Sequence, residues 1–160
     1  MKKLSEKTVT LRRELGPMRF VASDDALVSL WFVDEEEPSR EKHPVLDSAI
    51  EELDQYLAGT RSEFSIPLAP DGTDFQQEVW KALREIPFGE TRSYADIARV
   101  LGKPRAVRAV GAANGRNPLG IVVPCHRVIG SDGSLTGYAG GMKRKAFLLE
   151  LERRGQRFVQ

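Results

Sequence analysis

Apolar and polar positions along the chain follow two different rhythms, and the change falls near residue 70. Before it, short runs rich in β-branched and aromatic residues read as strands: Thr8 to Glu14, Met18 to Ala22 and Ala26 to Val33. Gly16-Pro17 and Ser23-Asp24-Asp25 supply turn residues between them, and Asp34 to Lys42 reads as an acidic loop. Pro44 then opens a helix in which Leu46, Ile50, Leu53 and Leu57 recur at helical spacing, with Gly59 as its stop. The acidic face of this helix is expected to be solvated. Pro67, Pro70 and Gly72 lie close together, a linker composition that predicts domains at 1–70 and 71–160.

Beyond the linker the period becomes helical. Thr73-Asp74-Phe75-Gln76 has the form of a capping box, and Phe75, Val79, Trp80, Leu83 and Ile86 make an apolar stripe that Pro87-Phe88-Gly89 terminates. Ser93-Tyr94-Ala95-Asp96 opens a second helix with Ala95, Ile97, Ala98 and Leu101 inward and Gly102 as its stop. Pro104 suits the first position of a third helix through Ala106, Val107, Ala109 and Val110. The last two form a helix-turn-helix candidate, with Arg105 and Arg108 near the start of its second helix. After Asn117-Pro118, Ile121-Val122-Val123 and Arg127-Val128-Ile129 read as strands and Asp132-Gly133 as a turn. Thr136 to Gly141 is a glycine-rich loop, and Lys143 to Glu152 is a closing helix with Phe147, Leu148 and Leu151 as its apolar stripe. The expected fold is an α/β N-terminal domain, a small sheet plus a helix, followed by a mainly α, winged-helix-like domain.

Charge sharpens the division. Residues 1–80 carry 9 Lys/Arg against 17 Asp/Glu, and residues 81–160 carry 15 against 6, inside a net charge of only +1. A basic, arginine-rich half suits a polyanionic partner, although two oppositely charged halves could also neutralise each other. No stretch approaches the roughly 20 apolar residues of a membrane span. Met1 to Glu6 is not followed by the apolar run of a signal peptide, so a cytoplasmic protein is expected.

Chemistry concentrates at one point. Cys125 is the only cysteine of the chain and stands in Pro124-Cys125-His126-Arg127-Val128. Without a second thiol it forms neither an internal disulfide nor a cysteine-rich metal site, so any chemistry it performs is that of a thiolate nucleophile. His126 is positioned to take its proton, and Glu152, at the end of the last stripe, is a candidate to orient the imidazole from inside or a solvated helix-end carboxylate. A single cysteine is also often an inert, buried hydrophobe. Lys143, Arg144 and Lys145 read as surface or phosphate-contacting groups, and His43 as a surface histidine. No dinucleotide or Walker glycine pattern is present, so no nucleotide cofactor is expected.

Pro124-Cys125-His126-Arg127-Val128 resembles the active-site signature of the O6-alkylguanine-DNA alkyltransferases. Arg108-Ala109-Val110-Gly111-Ala112-Ala113-Asn114-Gly115, Asn117-Pro118 and Thr136-Gly137-Tyr138-Ala139-Gly140-Gly141 agree with that family in order and spacing, and the likeness runs from about Thr73 to Glu152, nearest to its stand-alone bacterial form. The resemblance implies that Cys125 takes the alkyl group from O6 of guanine, or from O4 of alkylated thymine, in a reaction each molecule performs once. It implies that His126 accepts the thiol proton through a water, that Glu152 holds His126, and that Asn117 supports the loop. Tyr94 would hydrogen-bond N3 of the leaving base. The carbonyls of Val128 and Cys125 would take its exocyclic amine, and Tyr138 and Ala139 would line the pocket. Arg108 would fill the gap left by the extruded nucleotide, with Arg105, Ala106, Ala109 and Ala113 against the minor groove of double-stranded DNA. Ala139 replaces the serine of some relatives, removing one donor near O6. No metal and no cofactor are expected, and the expected state is a monomer, with cooperative assembly along DNA as an open alternative. Two other readings of the residues are a DNA-lesion sensor that transfers nothing and a cysteine hydrolase or thiol peroxidase.

Overall fold

The computed structural model describes residues 6–34, 39–135 and 137–159, with residues 39, 40 and 156–159 as backbone only. Part of the acidic loop expected at 34–42, and Thr136 of the glycine-rich loop, lie outside the described residues. Contacts divide the chain into two compact units, 1–71 and 72–160.

The first unit is a four-stranded antiparallel sheet and one helix. Strands β1 (Lys7–Arg13), β2 (Gly16–Ala22), β3 (Leu27–Phe32) and β4 (Ser39–Arg40) lie in the order β3-β2-β1-β4. Along β2 burial alternates, with Met18, Phe20 and Ala22 inward, which is the period-two pattern of a sheet covered on one face. Helix α1 (Pro44–Leu57) contributes Leu46, Ala49, Ile50, Leu53 and Tyr56 to that core. Each of its buried Leu and Ile side chains stabilises the fold by about 1.5–3 kcal/mol. Tyr56 replaces the expected Leu57 as the last inward residue, because Leu57 is only half-buried.

Three expectations need correction here. The first hairpin turns at Glu14-Leu15 rather than at Gly16-Pro17: Gly16 pairs with Arg13, and its φ of 109° is the left-handed conformation that glycine adopts without strain. Part of the acidic loop is strand, since Ser39 and Arg40 pair with Thr10 and Val9. The acidic face of α1 is not wholly solvated. Glu52 is buried, and it accepts hydrogen bonds from Ser65 N (3.0 Å), Ser65 Oγ (2.6 Å) and Ile66 N (3.3 Å), with Arg61 at 3.7 Å. It is the anchor of the 61–66 loop. Downstream, Pro67 and Ala69 exchange backbone hydrogen bonds with Leu27, so the start of the proline-rich segment is tied to β3.

The second unit is mainly helical. Helix α2 (Asp74–Arg84) begins with the expected capping box: Thr73 Oγ1 accepts from Gln76 N at 3.1 Å, and Gln76 Oε1 accepts from Thr73 N at 2.9 Å. Gly72 lies under Trp80, where a Cβ would meet the indole at 2.4 Å. Strand β5 (Arg92–Ser93) leads into α3 (Tyr94–Val100), which has its own capping box between Ser93 and Asp96. It ends in a Schellman motif, with Gly102 N donating to Arg99 O and Lys103 N to Ala98 O around Gly102 at φ 71°. Helix α4 (Val107–Gly115) completes the helix-turn-helix and is tied to α2 by Trp80 Nε1 donating to Ala113 O at 2.8 Å.

A single 3-10 turn (Cys125–Arg127) runs into β6 (Val128–Ile129), which pairs in parallel with β5, and α5 (Met142–Val159) closes the unit. Two local differences matter. Pro104 and Arg105 form a turn, with Ala106 N donating to Lys103 O, so the helix begins at Val107 and Arg105 precedes it. Ile121 to Val123 is a buried turn, not a strand; Val122 N and Val123 N bond locally to Gly120 O and Leu119 O, and Ile121 sits at φ 70°. A β-branched residue in that region is strained by roughly 1–3 kcal/mol. The architecture is the expected one: a small sheet with a helix, then a helical unit with a helix-turn-helix. No helix among the described residues is long and apolar enough to cross a membrane.

Candidate active site

Cys125 opens the 3-10 turn and is 2% exposed. Burial pushes its thiol up to about 11, against hydrogen bonding from Asn117 and the positive charge of Lys145. At neutral pH the resting group is therefore a thiol, and it needs a base. His126 follows it, fully buried, with Nε2 at 2.7 Å from Glu152 Oε2. Burial holds the imidazole below its ordinary range although Glu152 pulls the other way. A neutral ring facing a carboxylate carries its proton on Nε2, which leaves Nδ1 as the acceptor. Nδ1 is buried and has no hydrogen-bond partner among the described residues.

Glu152 reaches this position from α5. It is 1% exposed and accepts from His126, from Arg127 Nε (2.8 Å) and Nη2 (3.0 Å), and from Gly89 N (3.4 Å). Burial alone would raise its carboxyl. The hydrogen bonds and charges of His126 and Arg127 outweigh that and hold it at about 2. Arg127 is itself fixed by Nη1 donating to Ile86 O at 2.6 Å and by the Phe88 ring at 5.8 Å. The arrangement is a buried anion with a paired cation, holding an imidazole beside a thiol.

The loop carrying Cys125 is supported by Asn117. Its Nδ2 donates to Val123 O at 2.8 Å and to Leu119 O at 3.3 Å, and its Oδ1 accepts from Leu119 N at 2.9 Å. One side chain thus pairs the polar groups at both ends of the buried turn 119–123. Tyr94, the first residue of α3, reaches towards the glycine-rich loop with its hydroxyl 3.5 Å from Gly137 O. Tyr138 is buried, and its hydroxyl is pushed upward by burial and then by Cys125; Ala139 is exposed. Val128 is buried, and its carbonyl accepts from Lys145 Nζ at 2.5 Å; the Cys125 carbonyl accepts from Val128 N.

On the helix-turn-helix, Arg105, Arg108 and Ala109 are exposed and Ala106 is half-buried. Ala113 corrects the expectation of a surface contact: it is buried against α2, with its carbonyl bonded to Trp80, and cannot offer its methyl to a partner. Lys145 is the larger correction. Expected at the surface, it has no exposed area, and burial lowers its pKa while Cys125 raises it. The sequence carried a signal for this, because among the described side chains of α5 the buried line is Lys145, Leu148 and Glu152, spaced by three and four. Phe147 and Leu151 of the expected stripe are only half-buried. Arg127, part of the motif but given no role by sequence reasoning, is the main cation of the site. His43 caps α1, its Nδ1 accepting from Val45 N at 3.2 Å. No group of three or more His, Cys, Asp or Glu among the described residues is placed to hold a metal.

This geometry has relatives. Residues 74–154 match the family model of the 6-O-methylguanine DNA methyltransferase DNA binding domain, and residues 9–70 match that of the ribonuclease-like domain of the same enzymes. The chain belongs to the 6-O-methylguanine DNA methyltransferase family. A methylated-DNA–protein-cysteine methyltransferase of Mycobacterium tuberculosis is 49% identical over 149 residues, 90% of each chain. One from Methanosarcina barkeri is 62% identical over 104 residues, 65% of this chain and 66% of that one. The crystal structure of Mycobacterium tuberculosis OGT in complex with DNA superposes with a TM-score of 0.85 at 46% identity, covering 92% of this chain and 93% of that one. Family membership carries the enzyme class, methylated-DNA–protein-cysteine methyltransferase, and the general activity, DNA repair by alkyl transfer.

Proposed function

We propose that this methyltransferase removes the alkyl group from O6-alkylguanine, and from O4-alkylthymine, in double-stranded DNA by moving it irreversibly to Cys125. The observation that carries the reading is the buried chain of Cys125, His126, Glu152 and Arg127, in which the imidazole shares a 2.7 Å hydrogen bond with a carboxylate held ionised. His126 Nδ1 takes the thiol proton through a water, and Glu152 balances the imidazolium that results. The Cys125 thiolate attacks the alkyl carbon. A C–S bond forms, the C–O6 bond breaks, and its electron pair passes to the guanine ring, where Tyr94 stabilises it by a hydrogen bond at N3. A proton then returns to the base, which completes normal guanine. The product thioether has no bond that water cleaves readily, so each molecule reacts once.

The target atom is inside the duplex, so the nucleotide must leave the stack, which costs a few kcal/mol, and less for a damaged pair. Arg108, exposed on α4, fills the vacated space. Arg105, Ala106 and Ala109 face the minor groove, whose degenerate pattern suits a protein that must ignore sequence. The basic half of the chain supplies salt-dependent phosphate attraction to a protein acting as a monomer in the cytoplasm. The roles of Tyr138 and Ala139 are to line the pocket near O6. The test is a duplex carrying one O6-methylguanine: the protein should restore guanine, and Cys125→Ser should leave the lesion intact. Guanine restored by the serine variant would overturn the proposal.

A further inference from the structure

Arg127 is 6% exposed, and its guanidinium is held from two directions. Nε donates to Glu152 Oε1 at 2.8 Å and Nη2 to Glu152 Oε2 at 3.0 Å, while Nη1 donates to Ile86 O at 2.6 Å. The two bonds to Glu152 form the strong, rigid fork that a planar guanidinium makes with a carboxylate. Oε2 is also the atom 2.7 Å from His126 Nε2, so one carboxylate faces a fixed cation and a titratable ring together. The transfer reaction as proposed gives Arg127 no step of its own.

The charges around the ring decide what it can do. Glu152 and Lys145 act on His126 from α5, with the Cys125 thiol and Arg127 on either side of it in the chain. The segment after α2 contributes the Ile86 carbonyl, the Phe88 ring and the Gly89 N–H, which carry no charge. Burial is the largest influence keeping the ring unprotonated; Glu152 opposes it, and the positive charges of Arg127 and Lys145 add to it. Without the guanidinium the carboxylate would lose its paired cation, and a buried charge deprived of its partner is strongly unfavourable. The imidazole can supply a replacement by taking up a proton. A protonated ring has an N–H at both nitrogens and no acceptor, so Nδ1 could not then receive the thiol proton. We infer that Arg127 is a positioning residue that fixes and neutralises Glu152, so that His126 rests as a neutral imidazole and is available as the base. The inference rests on the proposed role of His126 in the transfer.

The chain has two histidines, so NMR of ring-labelled histidine resolves His126, with His43 of the first unit as an internal reference. Arg127→Met removes the charge, and the protonation midpoint of His126 should rise by about one to two pH units. Arg127→Lys keeps the charge without the fork, and its midpoint should rise by less than about half as much. Single-turnover transfer from an O6-methylguanine duplex should follow the ring. The acid limb of the Met variant moves up, slowing transfer about tenfold near neutrality and restoring most of it near about pH 9. Thermal melting reports folding, and if the Met variant does not fold the Lys variant decides: a ring protonated at neutrality in that variant would overturn the inference. An unchanged midpoint in the Met variant, or slowing by one factor at every pH, would also overturn it and leave Arg127 a packing residue. An unaltered protein whose neutral His126 accompanies no transfer would instead overturn the proposed function beneath it.

Discussion

Replacing Glu152 with Gln removes one charge and almost no volume from the centre of the site, and its cost can be worked from the structure. The folded carboxyl is held at about 2 against an ordinary 4.5. A depressed carboxyl stabilises the fold fully above its unfolded value and loses that contribution as pH falls through its folded value. The shift corresponds to about 3 kcal/mol, because one pKa unit is about 1.4 kcal/mol. Gln resembles the protonated acid, so Glu152→Gln should be less stable by about that amount near pH 7, and the gap should close as the pH falls from about 4.5 towards 2. The assay is urea unfolding across pH, followed by Trp80 in a Trp31→Phe background, since these are the only two tryptophans. A gap below about 1 kcal/mol near neutrality, or one that persists unchanged into acid, would refute the account of Glu152 as an ionised anchor. Transfer should also slow by roughly a hundredfold, the scale of an impaired general base.

Other outcomes follow from the same geometry. Iodoacetamide labelling of resting Cys125 should be slow at neutral pH and rise with a midpoint near about 11, whereas alkyl transfer should not need alkali; a midpoint near neutrality would remove the need for His126 as base. Arg108→Ala should slow transfer from duplex DNA about tenfold, while reaction with a free O6-benzylguanine base is unaffected; equal slowing on both would deny it the role of filling the duplex. Thr73→Ala should cost about 1 kcal/mol through the lost N-cap, read as a lower urea midpoint of the second unit.

Much of the site was legible because its signals were local or periodic. The capping box at Thr73 and Gln76 and the stop at Gly102 each follow from a few neighbouring residues, whereas the pattern leaves Glu152 open between an inward and a solvated position. What escaped depended on tertiary context. Ile121 to Val123 has strand composition, yet a run of β-branched residues becomes a strand only with a partner, and here Asn117 holds the Val123 and Leu119 carbonyls of a buried turn. Pro104 suits the first turn of a helix by its own preference, but Ala106 offers no capping side chain and the chain turns first. Charge alone places Lys145 at the surface or on phosphate and the acidic face of α1, with Glu52, in water. Their burial depends on acceptors and donors from distant segments, Val128 for one and Ser65 for the other. Arg127 was hidden within a motif read for its cysteine and histidine.

The central claim is that Cys125 is a consumed acceptor. Its most direct test is intact and peptide mass after incubation with a molar excess of O6-methylguanine duplex. The account predicts one methyl group per molecule, located on the Cys125 peptide, with lesion repair stopping when the protein is used up. Continued repair beyond one lesion per molecule, or a methyl group elsewhere on the chain, would contradict it.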